Sequence, residues 1–371
     1  MGSTWAGKRV TVMGLGTRGG GSGVARYLAS QGARVTVTDL REEALLTDQI
    51  AELVDLDIRY VLGRHEESDF TETDCVVRNP AVRRWNPYLK AATDAGVRVE
   101  MEMTIFLAAS ITPVIGITGT KGKTSTSVLC GEILRAWRPE TVVAGNMGVS
   151  AVAALDGLTA ETPVVLELSS WQLEAMDDRH LGPQIAVLTN ISPDHLDTYA
   201  DFEGYADTKR SIAHHLSASD TLILNADDTL VAQAADETQA RVIWFGTQLP
   251  GDGIRVEPDR LISTISGREG EIAVPDNPAL IGHHMRMNAA AAAGAALVRG
   301  AALADVEAGL RGFRGIPNRT ERVATIDGVL YINDTAATAP AAAIASLQAF
   351  ADRPIHLIAG GADKKLDMTE L

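Results

Sequence analysis

Aromatic residues make up only 5% of the 371-residue chain, so its cores must be built from Ala, Val, Leu and Ile rather than from ring packing. Cysteine is nearly absent, with Cys75 and Cys130 alone. They show no metal-like or redox spacing. One long-range disulfide stays open, and reduced thiols in a cytosolic protein are the simpler reading. Positive charge is also scarce: 33 Lys and Arg stand against 48 Asp and Glu, for a net charge of -15. That balance argues against a nucleic-acid partner or an anionic membrane surface. An anion can still bind where a few cations and backbone N–H groups converge. Apolar runs such as AAAAAGAALV at 289–298 are too short and too Ala-rich to span a bilayer. The first residues, MGSTWAGKRV, contain no apolar signal region, which points to the cytoplasm. What is present is ordinary for a globular protein: 46% hydrophobic and 22% charged residues, in a length that suits two or three domains.

Strand-like runs alternate with helical ones. Residues 9–14 (RVTVMG) read as a buried parallel strand, followed by a Gly-rich turn, a helix at about 23–31 and a strand at 34–39. Apolar runs at 58–62 and 75–78 carry the alternation to about residue 104, which predicts a Rossmann-like α/β domain. From 113 the pattern restarts with PVIGIT, the turn GTKGK and the helix TSTSVLCGEILRAW. Strands at 164–168, 185–191, 221–225 and 241–246 follow, then a β-rich insert at about 254–281 and an Ala-rich helix. After a break at Gly315–Pro317, a third unit is expected to hold strands at 329–334 and 355–361 around a helix at 338–351.

The strongest chemical signal is Gly119-Thr120-Lys121-Gly122-Lys123-Thr124, with Ser125 behind it, placed between a strand and a helix. Glycines let a backbone wrap phosphate, and a helix N-terminus adds positive potential. Lys123 is positioned to meet β- and γ-phosphates and Thr124 to hold Mg²⁺. The usual P-loop has a Gly five residues before Gly122, where this chain has Ile117, so the turn is a shortened variant. A Gly-rich turn without a ligand is the bland alternative. Glu167 ends a buried strand, where its carboxylate can join Thr124 on Mg²⁺ or simply cap the next helix. Gly14-x-Gly16-x-x-Gly19, with Asp39 twenty residues on, would by itself suggest a dinucleotide dehydrogenase. No constellation for hydride transfer accompanies it.

G-T-K-G-K-T-S after an apolar strand resembles the Mur ligase family, which includes folylpolyglutamate synthase. Further matches follow in the same order: Gly145-Asn146-Met147-Gly148, Glu167 to Leu173, Asn190 to Asp197, Lys209 in TKRSI, His284 to Asn288, Pro317-Asn318-Arg319 and Asn333-Asp334. Together they cover nearly the whole chain. The resemblance implies a three-domain α/β architecture. Residues 1–104 would form a Rossmann-like domain for a UDP-substrate, 105–314 a central P-loop ATPase-like domain and 315–371 a partial Rossmann-like domain. It implies an ATP-dependent carboxylate–amine ligase, monomeric, using ATP and two Mg²⁺ ions. UDP-N-acetylmuramoyl-L-alanine and D-glutamate would be its small-molecule substrates, with no nucleic-acid or membrane partner. Another Mur-type or folylpolyglutamate-type amide ligase, or a catalytically incomplete UDP-sugar-binding fragment, are the alternatives.

By the same resemblance, Lys123, Glu167, His195 and Lys209 are catalytic, with Thr124, Glu167, His195 and a carbamylated Lys209 around the metal. From the residues alone, Lys209 beside Arg210 reads as a solvated surface lysine. A carbamate would make it an anion, and because it forms on the neutral amine the site should depress this lysine's pKa. Gly119 to Ser125 would bind ATP with Asn288 at adenine, Arg319 at a phosphate and Asp334 at the ribose. Asn288 also suits an N-cap, Arg319 a linker surface charge and Asp334 a strand-end turn. Gly16 and Thr17 would hold the UDP diphosphate and Asp39 uracil, unless Asp39 is only a turn residue. Asn146, Ser169, Thr338 and Lys364 complete the substrate set.

Members that add D-glutamate commonly show Ser-Pro-Gly, Pro-His-Arg and Asp-Ser-Lys-Ala-Thr-Asn. Here those segments are Arg78-Asn79-Pro80-Ala81, Pro317-Asn318-Arg319 and Asp334-Thr335-Ala336-Ala337-Thr338-Ala339. The lost lysine removes a cation for which Lys364 or Lys365 is the candidate replacement. Residues 315–371 are short for a self-sufficient α/β domain. The expectation is a truncated enzyme with little or no ligase activity.

Overall fold

The computed structural model describes residues 4–17, 19–194, 198–361, 368, 369 and 371. They form two compact units, Met1–Gly116 with Val142–Gln184, and Ile117–Thr141 with Ile185–Leu371.

The first unit carries a five-stranded parallel sheet of β1 (Arg9–Met13), β2 (Arg34–Asp39), β3 (Ile58–Leu62), β4 (Cys75–Arg78) and β5 (Arg98–Glu100), ordered β3-β2-β1-β4-β5. Val10, Val12, Val35, Val37, Val76 and Val77 are buried, as expected of parallel strands covered on both faces. Each fully buried Val contributes on the order of 1.5–3 kcal/mol. Chain order reverses between β1 and β4, which leaves a crevice at their C-terminal ends. The Gly14–Gly19 turn occupies that position and starts the helix Gly20–Ser30, with Gly19 as N-cap at φ 81°. The chain passes from the first unit to the second within β6 (Val114–Thr118), and the first unit also holds β7 (Val142–Gly145) and β8 (Val164–Glu167), which are parallel.

In the second unit, β9 (Ile185–Leu188), β10 (Thr221–Asn225), β11 (Arg241–Gly246) and β12 (Gly253–Val256) run parallel, followed by antiparallel β13 (Arg260–Ser263) and β14 (Gly270–Ala273). The Ala-rich helix His283–Arg299 lies on β9 to β12 and on the helix Lys123–Trp137. Ala289 to Ala293, Ala295 and Ala296 are fully buried, so their small side chains set a close helix–sheet distance. Gly309 serves the next helix, Leu303–Gly312, in the same way: a Cβ there would meet the Ile133 backbone at 2.4 Å.

The last segment departs from expectation. Glu321–Ile326 forms β15, paired antiparallel with β16 (Val329–Asn333) across Asp327 and Gly328, both at positive φ. Asp-Gly between apolar runs is a hairpin signal, and β15 is a strand that the sequence reading lacked. Residues 355–361 are not a strand: among the described residues no strand lies beside them, and Ile358 is 98% exposed. An apolar run becomes a strand only where a neighbour takes its backbone hydrogen bonds. Cys75 and Cys130 are buried free thiols, which removes the disulfide alternative. Among the described residues no helix is long and apolar enough to cross a membrane.

Candidate active site

The phosphate-type turn is built as its sequence demands. β6 is wholly buried, and the chain leaves it through Gly119 at φ 144° and Gly122 at φ 83°, the N-cap of Lys123–Trp137. A Cβ on Gly119 would sit 2.0 Å from Thr189 Oγ1, and one on Gly122 2.4 Å from Asn288 Oδ1. Asn190, quoted in the motif but given no role, frames the turn. Its carbonyl accepts from Thr120 N at 2.8 Å, its Oδ1 from Lys121 N at 2.8 Å, and its Nδ2 donates to Lys121 O at 2.9 Å. Lys123 Nζ donates back to Gly119 O at 3.0 Å and Thr120 O at 2.8 Å, which holds the ammonium over the turn. Lys121 pairs with Asp194 at 2.8 Å, and Ser125 is buried in the first helical turn.

Gly122→Ala joins a strained φ to a side-chain clash, so it is expected to lower stability by about 1–3 kcal/mol and to weaken ATP binding. Gly157→Ala is the control, since nothing lies within 4 Å of its added Cβ. Thermal melting and ATP calorimetry on the two variants check this, and equal behaviour would refute it.

Asn288 does not cap a helix. The helix begins at His283 with Gly282 as N-cap, and Asn288 lies inside it, buried, its Oδ1 accepting from Thr126 Oγ1 at 3.3 Å. Lys209 is not on the surface. It is 2% exposed, donates to Thr118 Oγ1 at 3.1 Å and lies 5.7 Å from the Tyr205 ring centroid. The helix Phe202–Arg210 turns Tyr205, Ala206, Lys209 and Arg210 inward. Arg210 is matched by Glu203, Asp207 and Glu237, while the Tyr205 hydroxyl donates to Thr120 Oγ1 at 3.1 Å. Burial pushes the Tyr205 phenol up to about 12, so it stays a donor.

Arg319 is no idle linker charge: its Nη2 donates to Thr124 Oγ1 at 3.2 Å. Asn318, at φ 64°, occupies a left-handed position that Asn tolerates well, a local reason for its presence there. Asp334 accepts from Thr320 N at 2.9 Å and Ser346 Oγ at 2.5 Å, so both oxygens are bonded within its own segment. Burial holds the neighbouring His284 below the usual imidazole range, opposed by Asp334. Thr338 is exposed just ahead of the helix Pro340–Gln348. His195, Lys364 and Lys365 lie outside the described residues.

In the first unit, Glu167 ends β8 and is 3% exposed. Its Oε1 accepts from Asn146 Nδ2 at 3.1 Å, and among the described residues its buried Oε2 has no hydrogen-bond partner. It does not cap the following helix. Ser169 does, in a capping box with Gln172. Near the crevice, Gly14 and Gly16 take φ 91° and 67°. Asp39, also buried, accepts from Gly16 N at 3.2 Å and from Arg41 N at 2.9 Å. Asn79 lies against the turn, 3.0 Å from a Cβ built on Gly14, and Thr17 is exposed.

A parallel sheet with a glycine turn at its switch point, and a strand–turn–helix shaped for phosphate, define a nucleotide-handling α/β enzyme. Residues 117–296 match the Mur ligase middle domain, and residues 8–100 match the N-terminal domain described as Mur ligase MurD-like. The chain belongs to the Mur ligase family. It is 46% identical over 375 residues to the UDP-N-acetylmuramoylalanine--D-glutamate ligase of Roseiflexus sp. (strain RS-1), covering 99% of this chain and 80% of that protein. The ligase of that name from Symbiobacterium thermophilum is 39% identical over 360 residues, covering 96% of this chain and 78% of that one. Among solved structures, the UDP-N-acetylmuramate:L-alanyl-gamma-D-glutamyl-meso-diaminopimelate ligase from Neisseria meningitides shares the fold, with a TM-score of 0.60 and 19% identity over 84% of this chain and 99% of that one.

Proposed function

We propose that the protein joins D-glutamate to UDP-N-acetylmuramoyl-L-alanine at the expense of ATP, a step of peptidoglycan precursor synthesis. The observation that carries this is the 46% identity, extending over 99% of the chain, to a ligase of that name. ATP gives its γ-phosphoryl group to the alanine carboxylate, because a free carboxylate is too poor an electrophile for an amine. The D-glutamate amine attacks the acyl phosphate, and the amide forms as phosphate leaves beside ADP. Lys123 and the amides of the 119–124 turn stabilise charge on the transferring group. Excluding water preserves the acyl phosphate.

Mg²⁺ suits the residues present. Glu167 Oε2 is a buried carboxylate oxygen with no hydrogen-bond partner among the described residues, the kind of hard donor that a divalent cation takes. On the motifs alone, we assign Glu167 of the first unit, and the Thr124 hydroxyl, His195 and a carbamylated Lys209 of the second, to metal binding. Bound Mg²⁺ would neutralise phosphate charge. Asn288 is assigned to adenine, Arg319 to a phosphate, Asp334 to the ribose, and Gly16, Thr17 and Asp39 to the UDP moiety. We read residues 1–104, 105–314 and 315–371 as the three domains and the cytoplasm as the compartment.

Phosphate release with ATP, UDP-N-acetylmuramoyl-L-alanine and a panel of amino acids tests the reading, and release at full rate would overturn the expectation that this chain has little or no ligase activity. D-glutamate should stimulate release well above L-glutamate, and calorimetry should show UDP-substrate binding but none of NAD. Stimulation by another amino acid alone, or tight NAD binding, would overturn it.

A further inference from the structure

We propose that Glu102 is a positioning residue: it holds the segment after β7 in place and, through Asn146, aims the Glu167 carboxylate. This rests on the reading of Glu167 as a metal ligand.

Glu102 opens the helix Glu102–Ala109 and lies outside every motif that carries the chemistry. Its Oε1 accepts from Ser150 Oγ at 2.6 Å and from Val152 N at 3.3 Å. Ser150 is pinned from its other side, because a Cβ on Gly23 would lie 2.2 Å from Ser150 Oγ. Gly148 O is 3.5 Å from a Cβ built on Gly19, and Glu102 Oε2 is 3.8 Å from one built on Gly20. Residues 148–150 therefore run along the glycine-rich head of the helix Gly20–Ser30. Part of that glycine richness serves this close approach rather than a phosphate.

From Ser150 the path to Glu167 is short. Gly145 N donates to Val149 O at 3.0 Å and closes a tight turn. Inside it, Asn146 N donates to Glu167 O at 2.9 Å and Asn146 Nδ2 to Glu167 Oε1 at 3.1 Å. A Cβ on Gly145 would meet Glu167 O at 2.3 Å, so the turn cannot slide. Asn146 thus fixes which carboxylate oxygen stays open, and Glu102 fixes where Asn146 stands. Burial raises the Glu102 carboxyl above the usual carboxylate range, while the bonds from Ser150, Val152 and Ala151 oppose that. A costly placement of this kind suits a side chain that holds neighbouring chain segments together.

The test compares Glu102→Ala, Glu102→Gln, Ser150→Ala and Glu167→Gln with the unaltered protein. The readouts are Mn²⁺ affinity in the presence of a non-hydrolysable ATP analogue, the Mg²⁺ concentration for half-maximal phosphate release, and thermal melting. Supporting residues of metal ligands typically affect metal affinity by about 10–100-fold. Glu102→Ala is expected to weaken Mn²⁺ by about 10-fold, and Glu102→Gln, whose amide oxygen can keep the bonds from Ser150 Oγ and Val152 N, to restore most of it. Should Glu102→Ala not fold, Ser150→Ala reads the same link and should weaken Mn²⁺ in the same direction. Unchanged Mn²⁺ affinity in the folded variants, with Glu167→Gln impaired, overturns the role of Glu102 alone. Unchanged affinity in Glu167→Gln as well overturns the metal reading and this inference with it.

Discussion

Lys123→Ala is expected to lower ATP-dependent phosphate release by about 10²–10³-fold or more, the scale of removing one preorganised charge from a transition state. Lys123 Nζ spans the turn to Gly119 O and Thr120 O, so the ammonium already stands where phosphate oxygens would replace those carbonyls. Bonds from a charged group contribute about 1.5–3 kcal/mol each, and at this part-buried turn water can replace part of that, so the variant is expected to stay folded. ATP calorimetry and melting separate the two effects: affinity falls, and melting shifts by about 2–8 °C. Turnover equal to that of the unaltered protein would remove the phosphate assignment. Lys121→Ala is the comparison, because its ammonium pairs with Asp194 and its loss should be far milder.

Lys209→Ala should be inactive, with release down by at least about 10²-fold, and partly rescued by formate or acetate. Short carboxylic acids can supply the oxygens that a carbamate would offer. At 2% exposure Lys209 is buried, next to Thr118 Oγ1 and the Tyr205 ring, and a carbamate would form where its amine meets CO₂. Native mass spectrometry in bicarbonate should find one added CO₂, lost in Lys209→Ala. A fully active protein with an unmodified Lys209 would overturn the carbamate. Absence of both the rescue and the mass shift would limit Lys209 to a structural role.

The sequence carried much of this because its strongest signals are local. β1, β2, β3, β4, β6, β10 and β11 lie where short Val- and Ile-rich runs sit between turn residues, and the helix Lys123–Trp137 starts where Gly122 ends the turn. Lys209 was illegible bottom-up because two adjacent cations on one helix look solvated. Only tertiary packing reveals that Arg210 meets three carboxylates and that Lys209 faces Thr118. Asn288 was misread as a possible cap because Ala289 looked like the start of the periodic run, whereas Gly282 breaks the chain six residues earlier. The run at 355–361 looked like a strand by composition, but a ladder partner is a non-local fact. Glu102 had no motif to announce it, since its partners Ser150 and Val152 are distant in sequence.

The contact between Gly122 and Asn288 bears on how nucleotide affinity arises. The space beside the turn is filled by one amide oxygen on a helix whose inner face is nearly all alanine. Alanine has no rotamers to rearrange, so that wall of the turn is as stiff as the helix backbone itself. The turn therefore meets its ligand already shaped, and little ordering entropy opposes the encounter. Residues 122 and 288 also form one steric unit, so drift at either position is constrained by the other. A larger residue at 122 would keep the strain of its left-handed φ even beside a smaller one at 288, and that smaller residue would give up the amide that we assign to the base.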